Sequence, residues 1–95
     1  MPEPTKLLIV DDSRIFRSAL EAALAGAEDI RVVESVWSGT KALEAIRAAP
    51  PDVVTLDVAM PGLDGLATLA GIQQFNREHP ALPPVGVIMV SAHTR

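Results

Sequence analysis

Short apolar runs alternate along this chain with stretches whose apolar residues recur at helical spacing, and that alternation predicts strands and helices in turn. Leu7-Leu8-Ile9-Val10 is unbroken and stops at Asp11-Asp12-Ser13, the pattern of a strand buried on both faces, so strand one is placed at Lys6 to Val10. From Ser13 the apolar residues Ile15, Phe16, Ala19, Leu20, Ala23 and Leu24 share one helical face, and Arg14, Arg17, Ser18 and Glu21 the other; Gly26 closes this first helix. Ile30 to Val36 reads as strand two, carrying Val32, Val33 and Val36. Thr40 to Ala49 follows as helix two, with Ala42, Leu43 and Ile46 facing inward and Pro50-Pro51 stopping it.

Val53-Val54-Thr55-Leu56 predicts a third buried strand ending on Asp57. Met60-Pro61-Gly62 supplies a turn, and a third helix runs from about Leu63 to Glu78 with Leu66, Leu69, Ile72 and Phe75 toward the core. After the prolines at 80, 83 and 84, Val85 to Val90 is an apolar fourth strand ending on Ser91. Strands and helices alternating at this length require parallel strands joined by right-handed crossovers, hence an open α/β sheet with helices on both faces.

Composition adds exclusions. Ninety-five residues, 48% hydrophobic and 21% charged, suit one globular domain rather than a disordered chain. A net charge of −4 with only eight scattered basic residues argues against a nucleic-acid surface. The absence of cysteine removes disulfides, thiolate metal sites and cysteine nucleophiles. Met1 to Lys6 lacks the basic start and apolar core of a signal peptide, and no apolar run approaches the roughly 18 residues of a membrane span, so a cytoplasmic location is the expectation.

The chemistry sits at the strand ends. In an open α/β sheet the working site lies outside the carboxyl ends of the strands, and here strand one delivers Asp11 and Asp12, strand three Asp57, and strand four Ser91. Taken singly, Asp11-Asp12-Ser13 fits a helix N-cap, Asp57 a strand-end turn and Ser91 a loop hydroxyl. Taken together they form one rim. Carboxylates crowded into one cleft repel unless a cation compensates them, and all-oxygen ligation suits Mg²⁺, which leaves room for a phosphate oxygen. A carboxylate beside such an ion is a candidate nucleophile toward phosphorus.

Three segments resemble the receiver domain of two-component response regulators: Leu-Ile-Val-Asp-Asp-Ser at 8–13, Val-Thr-Leu-Asp-Val-Ala-Met-Pro-Gly-Leu-Asp-Gly at 54–65 and Ile-Met-Val-Ser-Ala at 88–92. The resemblance implies a flavodoxin-like, doubly wound parallel sheet of order 2-1-3-4-5, of which residues 1–95 supply strand order 2-1-3-4 and lack the fourth helix, fifth strand and fifth helix. It implies Asp57 as phosphoacceptor from a histidine kinase and Asp12 as a direct Mg²⁺ ligand. Asp11 would hold the ion mainly through water, and the Ala59 backbone carbonyl would add a further ligand. Ser91 would hydrogen-bond the phosphoryl group, Ala92 would leave access to it, and Gly65 with the Met60-Pro61-Gly62 turn would shape the loop after the acceptor. The wording is most similar to receivers of the chemotaxis methylesterase type, although receivers joined to helix-turn-helix effectors share much of it. At most self-phosphotransfer belongs to such a segment; methylesterase activity would lie in an effector domain outside it.

Two departures from the family pattern matter. Position 59 is Ala where a polar or acidic side chain is common, which removes a handle on water attack at the phosphoaspartate. The lysine of strand five has no counterpart, since the only lysines are Lys6 and Lys41. Phosphoryl transfer depends on stabilising transition-state charge, so poor phosphate acceptance by this segment alone is expected. Without strand five, strand four is an open edge, and without helix five an apolar patch beside helix one is uncovered; both predict self-association. Exposed Arg14, Arg17 and Ser18 on helix one are candidate kinase contacts.

The principal alternative is a pseudo-receiver, a protein-interaction module that works without phosphorylation; all three acids being present favours the phosphoacceptor. A phosphatase of the haloacid-dehalogenase type needs a second acid two residues past the nucleophile, and Ala59 stands there. Nucleotide binding lacks a Gly-rich loop after strand one.

Overall fold

A computed structural model describes residues 3–60 and 65–90. Its elements are β1 (Thr5–Val10), α1 (Arg14–Leu24), β2 (Ile30–Val36), α2 (Gly39–Ala48), β3 (Val53–Asp57), α3 (Gly65–Glu78) and β4 (Gly86–Val90). All seven fall within a residue or two of the positions the apolar pattern predicts. The strands form one parallel sheet in the order β2-β1-β3-β4. β1 therefore lies inside, paired on both sides, which is why Leu7 through Val10 are all buried.

Alternation along the strands divides the side chains between two faces. Leu8, Val10, Val54 and Leu56 join Ala42 and Ile46 of α2 and Ile72 and Phe75 of α3 in the main core. Full burial of each Leu, Val, Ile or Phe side chain among these stabilises by roughly 1.5–3 kcal/mol before entropy is counted. On the other face Leu7, Val53 and Ile88 meet Leu20 and Leu24 of α1 around an open groove of about 480 Å³.

Ser13 and Ser38 begin the first two helices as N-caps, their hydroxyls accepting from the Phe16 and Lys41 N–H groups. The start of β4 is set by α3: the Asn76 amide accepts from the Val85 N–H at 2.9 Å and donates to the Val85 carbonyl at 3.1 Å, imitating a neighbouring strand.

Several expectations are corrected. α1 is amphipathic as read, yet no residue of that helix is buried, and Ile15 on its apolar face is 84% exposed. Arg17, expected in solvent, is half-buried. On α3, Leu66 is 68% exposed and Thr68 takes the buried position instead; Leu69 packs partly, while Ile72 and Phe75 are buried as predicted. Met60, read as part of a turn, is a core residue, 4% exposed. β2 is not regular: Leu7 pairs with Val32 and Leu8 with Glu34, so Val33 is an extra, exposed residue in a bulge. β4, by contrast, is the sheet edge among the described residues, with Ile88 and Met89 exposed on it, in line with the open edge expected of strand four.

Candidate functional site

The parallel register brings the predicted acids together. β1 ends at Val10, level with Leu56, so Asp11 emerges beside Asp57, the last residue of β3. Asp11 and Asp57 are each 1% exposed, whereas Asp12 is open to solvent. One carboxylate oxygen from each of the three residues lies within 4.8 Å of the others. At that spacing each like-charged pair repels by roughly 3 kcal/mol for an effective dielectric near 20. Two buried acids and one exposed acid, offering oxygen alone, fit a hard divalent cation that keeps part of its water shell.

Backbone donors fix the acids from the protein side. The Ser13 N–H donates to Asp11 Oδ1 at 2.7 Å, and the Ala59 N–H donates to Asp57 Oδ1 at 3.0 Å. Asp11 is also anchored through its own N–H, which donates to the Val36 carbonyl at the end of β2. The pairing of β3 with β4 runs one step further, Val58 N–H to Val90 carbonyl at 3.2 Å, so Val90, the last described residue of β4, is level with Asp57. Ser91 and Ala92, predicted beside the phosphoryl group, lie outside the described residues, as do Pro61 and Gly62 of the turn.

Gly65 stands against the acceptor strand because it has no side chain. A Cβ there would lie 2.6 Å from the Asp57 carbonyl oxygen and 2.7 Å from Val58 Cα. Met60 buries itself in the core and tethers the other end of the loop after Asp57. Its apolar character three residues after a strand-end acid was the available signal.

The lysines are placed as expected, away from the acids. Lys41 lies over the Trp37 ring at 5.5 Å and near Glu44, both on the surface. Lys6 is at the opposite end of β1, where its N–H donates to the Asp52 carboxylate. The basic group that does reach the acid loop is Arg17, whose Nη1 donates to the Asp11 carbonyl at 2.7 Å. Its helical position gave no sign of this, since a guanidinium reaching back past the start of its own helix leaves no mark in periodicity.

The family model described as the response regulator receiver domain matches residues 7–95. A protein-glutamate methylesterase/protein-glutamine glutaminase of Symbiobacterium thermophilum is 44% identical over 92 residues, 97% of this chain but only 24% of that protein's length. The response regulator domain of Thermotoga maritima CheB superposes with a TM-score of 0.80 at 34% identity, covering 97% of this chain and 63% of that one. The CheX-CheY-BeF₃-Mg²⁺ complex of Borrelia burgdorferi gives 0.74 at 30% identity, covering 97% of this chain and 65% of that one. The sheet order, the three converging acids and a family match over nearly the whole chain agree, and this chain belongs to the response regulator receiver domain family.

Proposed function

We propose that Asp57 is the phosphoacceptor of this receiver, taking its phosphoryl group from a histidine kinase, with Mg²⁺ held by the carboxylates of Asp11, Asp12 and Asp57 and by the Ala59 backbone carbonyl. The observation that carries the reading is the approach of the three carboxylates to within 4.8 Å at the carboxyl ends of adjacent parallel strands. When bound, Mg²⁺ supplies positive charge against the oxygens of the phosphoryl group. An Asp57 carboxylate oxygen attacks phosphorus, the new O–P bond forms, and the P–N bond of the phosphohistidine breaks with its electron pair returning to the imidazole nitrogen. The Ala59 N–H holds Asp57 Oδ1 and so limits the rotation of the nucleophile. Ser91 takes the hydroxyl position that hydrogen-bonds the phosphoryl group.

Support also comes from the Borrelia burgdorferi relative, whose complex contains beryllofluoride and Mg²⁺. Transfer of that chemistry is testable here through Trp37, which directly follows Val36, the residue whose carbonyl accepts from Asp11 N–H. Beryllofluoride with Mg²⁺ is titrated into this chain, into the same chain extended to a complete receiver, and into Asp57→Asn, reading fluorescence and binding heat. The extended form is expected to bind and Asp57→Asn to fail; weaker binding by the short chain measures what the lysine-bearing segment adds. Absence of binding in the extended form overturns the phosphoacceptor reading in favour of a phosphorylation-independent interaction module.

Self-association is a second property we propose, favoured by the exposed Ile88 and Met89 on the edge strand and by the apolar groove between α1 and the sheet. We also propose a cytoplasmic setting, and, because relatives such as that of Symbiobacterium thermophilum are protein-glutamate methylesterases of which this chain spans about a quarter, that any methylesterase output lies in a domain outside these residues. Among the described residues no helix is long and apolar enough to cross a membrane.

A further inference from the structure

Arg17 is drawn back from α1 to the acid loop, and the bonds around it make residues 11–17 one closed unit. Its Nη1 donates to the Asp11 carbonyl at 2.7 Å, while its own backbone N–H donates to the Ser13 carbonyl at 3.0 Å. Ser13 in turn donates its N–H to Asp11 Oδ1 and accepts from Phe16 N–H as the helix cap. The Asp11 carbonyl belongs to the peptide unit that joins Asp11 to Asp12. Whatever fixes that plane fixes the N–Cα bond of Asp12, and with the Ser13 N–H held by Asp11 Oδ1 on the far side of Asp12 it restrains the direction in which the Asp12 side chain leaves the backbone.

Asp12 needs such control more than its neighbours do. Asp11 and Asp57 are buried and each is held through Oδ1 by a backbone N–H, whereas Asp12 is exposed and no hydrogen bond to its carboxylate is found among the described residues. Its place within 4.8 Å of the other two acids therefore rests on the backbone that carries it. A charge-assisted bond of 2.7 Å from a half-buried guanidinium is a strong restraint on that backbone. The planar fork of arginine can keep one donor fixed on the carbonyl, which a lysine ammonium does less rigidly.

We propose that Arg17 is a positioning residue for the divalent-cation site, orienting Asp12 by gripping the Asp11–Asp12 peptide. The inference rests on the metal-site reading above. It also makes a prediction opposite in sign to simple electrostatics: a cation near three carboxylates opposes Mg²⁺, so removing the charge alone would tighten binding a few-fold. Loss of positioning weakens it, by roughly tenfold or more for a partner of a metal ligand.

The test is a Mg²⁺ titration followed by amide NMR on the wild-type chain, Arg17→Gln, Arg17→Lys and Asp57→Asn. Spectra of the metal-free proteins report folding and the Asp12 amide environment independently of binding. The expected order of affinity is wild type, then Arg17→Lys, then Arg17→Gln at least tenfold weaker, with the metal-free Asp12 amide displaced and exchanging faster in the glutamine variant. Arg17→Lys retains the charge and a donor without the fork, so it answers the question if the glutamine variant does not fold. Affinity equal to or tighter than wild type in a folded Arg17→Gln, or in Arg17→Lys when that alone folds, overturns the proposal while leaving the metal site standing. A lower melting temperature with unchanged Mg²⁺ affinity overturns it as well, since that is the mark of a purely structural bond. If the wild type itself binds no Mg²⁺, the site reading fails and the proposal fails with it.

Discussion

Two glycines on α3 look alike in sequence and are predicted to respond in opposite ways to alanine. At Gly65 an added Cβ would stand 2.6 Å from the Asp57 carbonyl oxygen, about 0.8 Å inside ordinary van der Waals contact, which starts near 3.4 Å. The second and third contacts, 2.7 and 3.1 Å, are also to backbone, at Val58. Backbone in a paired strand cannot move aside alone, so either α3 lifts from the sheet or the end of β3 shifts. Overpacking of this kind costs roughly 1–3 kcal/mol, and the better helix propensity of alanine offsets at most about 1 kcal/mol near a helix start. A net loss of about 1–2 kcal/mol follows, which lowers the melting temperature of a domain this size by roughly 4–16 °C.

At Gly71 the added Cβ meets only the tip of Leu43, at 2.9 and 3.0 Å from its two methyl groups. Leu43 is half-buried and can change rotamer, so the strain is small and the mid-helix propensity gain of about 1 kcal/mol opposes it. Gly71→Ala is therefore expected within about 0.5 kcal/mol of wild type. Urea unfolding followed by circular dichroism, with both variants at matched protein concentration, measures the difference. Mg²⁺ affinity should also drop for Gly65→Ala alone, because the displaced backbone carries Asp57. Equal stability of the two variants, or a larger loss at Gly71, would refute the reasoning that backbone and side-chain neighbours differ in compliance.

Asn76→Ala removes both hydrogen bonds to the Val85 backbone and leaves that buried residue without its strand-like partner; a loss of about 2 kcal/mol is expected in thermal unfolding, and Asn76→Asp, which keeps the acceptor, should lose less. Sedimentation velocity over a range of concentrations should show association of the 95-residue chain, reversed by Ile88→Lys on the edge strand. A monomer at every concentration would remove the self-association proposal.

By itself the sequence determined the order and type of all seven elements, because strand burial and helical amphipathicity are written in local periodicity. It also determined which acids come together in the candidate site: Asp11-Asp12 and Asp57 each close an apolar run, and in a parallel sheet the ends of such runs share one rim. What tertiary structure alone decided depends on neighbours that periodicity does not encode. An apolar run marks β4 as a strand without saying which of its residues are covered: Val85, just before it, is buried, whereas Ile88 and Met89 are exposed. Val33 is one more β-branched residue in β2 until pairing with β1 leaves it in a bulge. Ile15 and Leu66 keep the helical apolar pattern and yet stay exposed. Arg17, on the polar face of its helix, acquires its contact with a carbonyl six residues back, a partner that exists only once the chain before the helix is folded.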